Sequence, residues 1–131
     1  MIEFKYEKGK GWISERESPS SFILNKSGQQ ETLRFDLDKM RIEKKHWDGK
    51  WRIVIFDIPE KIKTVRDAIR YHLKRLGFVE LQKSIFTIPF ECEKEIEFIV
   101  EFYKVRKHVR FIVAESIDNE LDLKNKFGLI V

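Results

Sequence analysis

The sequence predicts an α+β fold, an α/β sandwich in which strands and helices follow the order βαββαβ. Three observations support this. The run Ile53-Val54-Ile55-Phe56 is short, apolar and rich in β-branched residues, as a buried strand should be. Ile62, Val65, Ile69, Leu73 and Leu76 then recur three and four apart along one helical face, and Gly77 stands where a helix would stop. Two further extended pieces, a second helical pattern and a last apolar run complete the order, which is that of a ferredoxin-like sandwich.

The elements can be justified in turn. Ile2, Phe4 and Tyr6 alternate with polar residues before the turn-forming Gly9-Lys10-Gly11, and Trp12-Ile13 resume an extended chain. Ser18-Pro19-Ser20-Ser21 reads as a loop and Phe22-Ile23-Leu24 as another short strand. Residues 1–24 are thus expected to form a ragged β-hairpin. Asn25 is suited to cap a short helix carrying Leu33, Phe35 and Leu37. Residues 38–52 hold six Lys or Arg against three acids and read as a basic connector, with Asp48-Gly49 as a turn.

The main domain starts with a strand over residues 52–57. Pro59 suits the first turn of the helix that follows. Residues 78–81 and 84–90 read as a hairpin pair, 93–104 as a helix with Ile96, Ile99, Val100 and Tyr103 inward, and 109–114 as the last strand. The tail from Asp118 is acidic, then basic, then apolar. Both helices should cover one sheet face. The first strand is nevertheless apolar on both sides, so its second face needs cover from the N-terminal appendage or from a two-fold partner. A homodimer is the favoured expectation.

At 131 residues the chain suits one domain with an appendage, and 42% hydrophobic residues suffice for a core. The formal charge of +4 permits contact with nucleic acid. Cys92 is the only cysteine, which excludes a disulfide framework and a thiolate metal cluster. The sequence opens on no signal-like segment, and no apolar run approaches the ~20 residues of a membrane helix, so a soluble cytoplasmic protein is expected. His46, His72 and His108 lack metal-site spacing, and Gly9-Lys10-Gly11 is too short for a phosphate loop.

Two features stand out as candidate sites. Asp57 ends the first strand, where a buried carboxylate needs a reason. It is either a metal ligand or a cap for the helix beginning near Pro59. Residues 61–83 carry Lys61, Lys63, Arg66, Arg70, Lys74, Arg75 and Lys83 against only Asp67 and Glu80. That is either a phosphate-contacting face or an ordinary solvated one paired with the acids of residues 91–101.

VIFDIPEK, the basic helix ending at Leu76-Gly77, and LQKSIF resemble the CRISPR-associated protein two family of small ferredoxin-like homodimers. WDGKWRIVIFDIPE at Trp47–Glu60, LQKSIF at Leu81–Phe86 and CEKEIEFI at Cys92–Ile99 are closer still to the central domain of PaaX-like (phenylacetate-repressor) regulators. That resemblance covers residues 47–129 and implies two domains, a winged-helix remnant with basic connector over 1–46 and a ferredoxin-like domain over 47–131. The pattern ILNKSG is similar to the closing strand of a winged helix, without an upstream recognition helix. The resemblance implies a homodimeric, nucleic-acid-associated and non-catalytic module of a transcriptional regulator, with DNA favoured over RNA as its partner. It makes Ser84 a neighbour of Asp57. The alternatives it carries are a nuclease holding Mg²⁺ between two Asp57 side chains across a dimer axis, or a scaffold protein of CRISPR adaptation. On the first reading no cofactor is expected.

Overall fold

The computed structural model describes residues 4–7, 11–14 and 26–129, with side chains from residue 32 onward. Ile2, the 18–24 segment and Asn25 lie outside the described residues. The elements are β1 (Phe4–Glu7), β2 (Gly11–Ser14), α1 (Lys26–Lys39), β3 (Trp51–Phe56), α2 (Lys63–Leu76), β4 (Val79–Gln82), β5 (Ile85–Ile88), α3 (Glu93–Tyr103), β6 (Val109–Ala114) and α4 (Glu120–Phe127). Single 3-10 turns precede α2 and β6. The class is α+β, as expected, and strand, helix, strand, strand, helix, strand runs from β3 to β6. No helix among the described residues is long and apolar enough to cross a membrane.

The chain divides into two compact units. The first comprises Met1–Arg41 with Glu93–Arg106. Here β1 and β2 pair antiparallel, and α3 contacts both strands and α1. Leu37 of α1 is fully buried, and the Arg34 guanidinium lies 5.8 Å over the ring of Phe102. Arg106 closes the unit by pairing with Glu97 and Glu101.

The second unit, Ile42–Cys92 with Lys107–Val131, holds a four-stranded antiparallel sheet in the order β4-β5-β3-β6. β3 is central, so its two faces need separate cover. Arg52, Val54 and Phe56 share one face with their partners Ile88 and Phe86. α2 packs there: Arg70 lies 5.7 Å over the Phe86 ring, and Ile69, His72, Leu73 and Leu76 are buried. Phe56 stacks on Phe86 at 5.8 Å. Gly77 ends α2 in the left-handed region at φ 106°, its N–H donating to the carbonyls of Leu73 and Lys74. A side chain with a Cβ would be strained there.

Trp51, Ile53 and Ile55 line the opposite face. The C-terminal helix α4, which the sequence pattern did not reveal, lies against its Trp51 end. The Trp51 indole N–H donates to Glu120 at 2.8 Å, and its ring stands 6.1 Å from Phe127 and 5.2 Å from Trp47. The cover expected from a partner or from the N-terminal appendage is thus supplied at this end by the chain's own tail. Ile53, Ile55 and Ile85 remain half-buried, and Ile112, cross-strand from Ile53, is 40% exposed.

The WDGKWR run is a structural clasp. Gly49 turns the chain at φ 85°, and the Trp47 indole N–H donates to the Lys50 carbonyl. Asp48 accepts from the Lys50 N–H and from both terminal nitrogens of Arg52. Arg52, 6% exposed, also donates to the carbonyls of Lys50 and Pro89. A buried guanidinium on a central strand is tolerated because its donors are matched in this way.

Candidate nucleic-acid interface

Asp57 stands one residue beyond β3 and is exposed, not buried. The premise that its burial demanded a use is therefore corrected. Its backbone N–H donates to the His108 carbonyl at 2.8 Å. The capping role is corrected too. The 3-10 turn Glu60–Ile62 has Pro59 at its N-cap and α2 has Ile62, and neither cap makes a side-chain hydrogen bond. Pro59 has no oxygen-bearing side chain with which to cap the first turn. The Asp57 carboxylate has no partner among the described residues.

Ser84 bonds the end of β3. Its carbonyl accepts the N–H of Phe56, the residue before Asp57, at 3.1 Å. Lys83 and Ser84 form the two-residue turn between β4 and β5, with Ser84 at φ 69°.

The seven cations of residues 61–83 do not form one free face. Arg66 pairs with Glu60 at 2.9 Å and Arg70 with Glu80 at 2.8 Å. Arg75 is half-buried against His72. Lys61, Lys63, Lys74 and Lys83 are exposed and have no ion-pair partner among the described residues. The acids that the sequence offered as alternative partners, Glu97 and Glu101, are instead held by Arg106.

Spacing along the chain missed a second group. The bond from Asp57 to His108 brings the start of β6 to the same sheet end, and Arg110 pairs in register with Ile55. Lys107 and Arg110 are exposed there. Only the strand register joins them to Asp57, so no local pattern could have shown it. Among the described residues no three His, Cys, Asp or Glu side chains group closely enough to hold a metal ion.

The family model for the PaaX protein central Cas2-like domain matches residues 44–125. The chain belongs to this family. The match contains the clasp, all four strands of the main sheet and most of α4, and it agrees with the resemblance drawn from WDGKWRIVIFDIPE, LQKSIF and CEKEIEFI. Nothing matches among curated proteins or among solved structures. In this PaaX-family chain the most recognisable motif, WDGKW, builds the clasp around Arg52 and Trp51. Its Asp48 binds Arg52, and its Trp51 binds Glu120 of α4.

Proposed function

We propose that this chain is a nucleic-acid-associated, homodimeric and non-catalytic module of a PaaX-like transcriptional regulator, working in the cytoplasm. The family match over residues 44–125 carries the reading. The sheet order β4-β5-β3-β6 supports calling the main domain ferredoxin-like, with residues 1–46 as a winged-helix remnant. Lys61 and Lys83 would contact phosphates without reading bases, so DNA binding should be weakly selective and steeply salt-dependent.

A second reading is a Mg²⁺-dependent nuclease or a scaffold of CRISPR adaptation. The exposed Asp57 carboxylate, free of any structural task, favours the nuclease. Mg²⁺ would there polarise a phosphate and supply the attacking hydroxide. Among the described residues no three such side chains group at this end, so the ion would need the Asp57 of a second copy.

One assay separates the readings. Wild type and Asp57→Asn are titrated with unrelated labelled DNA duplexes at two salt concentrations, then incubated with DNA and RNA in Mg²⁺ or EDTA. Both proteins should bind, more weakly at high salt, and neither should cleave. Salt-independent binding would sink the regulator reading, and cleavage lost on both chelation and mutation would promote the nuclease.

The dimer is a separate prediction. Ile53, Ile55, Ile85 and Ile112 leave an apolar strip beside α4, and covering what they still expose contributes a part of the roughly 1.5–3 kcal/mol that full burial of each such side chain is worth. Light scattering at micromolar concentration should report twice the 15.8 kDa chain mass. A persistent monomer would count decisively against it.

A further inference from the structure

We infer that the phosphate-contacting site of this chain is the sheet end around Asp57, and that Lys107 and Arg110 of the β6 segment share it with Lys61 and Lys83. The inference rests on the nucleic-acid reading above and specifies where the backbone of a DNA duplex would sit. Two backbone hydrogen bonds assemble the place: Phe56 N–H to the Ser84 carbonyl and Asp57 N–H to the His108 carbonyl. They join the β4–β5 turn, the end of β3 and the start of β6, which are far apart in sequence. Lys61 enters from the 3-10 turn four residues beyond Asp57.

The charge balance favours a polyanion here. Lys61, Lys83, Lys107 and Arg110 are exposed and lack ion-pair partners among the described residues. Of the nearby acids, Glu60 is tied to Arg66, which leaves Asp57 as the unpaired one. Four free cations face one free carboxylate. The outer face of α2 is poorer, because Lys63 and Lys74 share it with the exposed Asp67. Cations on three separate elements can each reach a different phosphate along a strand, whereas Lys74 stands about 16 Å along the helix from Lys63. The turn at Ser84 and the first residues of β6 are anchored by the sheet, so little ordering is needed on binding.

The test is fluorescence anisotropy with a labelled DNA duplex, using the full chain and the exposed-site variants Lys83→Glu, Lys107→Glu and their combination. Lys74→Glu controls for the same charge change on the α2 face. The double variant should bind at least tenfold more weakly at low salt, with a salt slope reduced by about 0.9 for each lost contact. Lys74→Glu should change affinity by no more than about twofold. Lys83→Gln and Lys107→Gln, which remove charge without adding any, should show smaller losses of the same kind, and thermal melts should match wild type. No binding by the wild type would end the nucleic-acid reading and this inference with it. Wild-type binding with unaltered Lys83→Glu and Lys107→Glu, or an equal loss in Lys74→Glu, would overturn the inference alone. Tighter binding of an RNA duplex of the same sequence would overturn the assignment to DNA.

Discussion

Trp51→Ala should destabilise the fold by about 3–5 kcal/mol, the range for truncating a buried large aromatic. Trp51 is 0% exposed and begins the central strand. Its ring holds two others, Trp47 at 5.2 Å and Phe127 at 6.1 Å, and its N–H satisfies Glu120 at 2.8 Å. The truncation would open a void between sheet and helix, and α4 would lose what holds it down at both of its ends. Lys124, which lies 5.3 Å over the Trp47 ring, would loosen with it. Urea unfolding of wild type and variant gives the difference in midpoint. Trp51→Phe keeps most of the ring and removes the donor, so its loss should be nearer ~1 kcal/mol, the net worth of one hydrogen bond. A Trp51→Ala loss no greater than that of Trp51→Phe would mean that the aromatic cluster does not anchor the tail.

The parts of this fold legible in sequence were those that carry a period or a stop. β3 showed as a β-branched run, α2 as a three-and-four spacing closed by Gly77, and β6 as a short apolar run after a helix. α4 stayed hidden because its eight residues bury only Leu123, and it begins at Asn119 in the left-handed region, with no side-chain cap to announce it. The candidate site was legible only in part. A strand-end position suggests a buried Asp57, yet a residue just past a strand end can face water, and it does. The basic count over residues 61–83 showed the charge but not which cations are paired. Arg66 and Arg70 meet acids six and ten residues away, which a helical wheel does not pair. Lys107 and Arg110 needed the β3–β6 register before they could be placed beside Asp57.

Asp48→Ala should be the next largest loss, about 2 kcal/mol near neutral pH. Charge-assisted hydrogen bonds contribute roughly 1.5–3 kcal/mol, and stripping one member of a fully buried pair costs more. Here the Asp48 side chain is 40% exposed, so solvent screens part of the interaction, while Arg52 keeps the carbonyls of Lys50 and Pro89. The pH dependence follows from the same bonds. The Arg52 hydrogen bonds, with smaller help from the Lys50 N–H and the neighbouring charges, hold the Asp48 carboxyl down at about 2 against the opposing effect of burial. Its unfolded value is near 3.8. A carboxyl depressed in the folded state contributes stability that is fully present above the unfolded value and is lost as pH falls through the folded one. Wild type should therefore give up this contribution between about pH 4 and pH 2, a window in which Asp48→Asn has no carboxyl to titrate. The stability gap between them, measured by urea unfolding at neutral pH and again near pH 2, should narrow in acid. A gap of the same size at both would show that the clasp does not depend on the ionised Asp48.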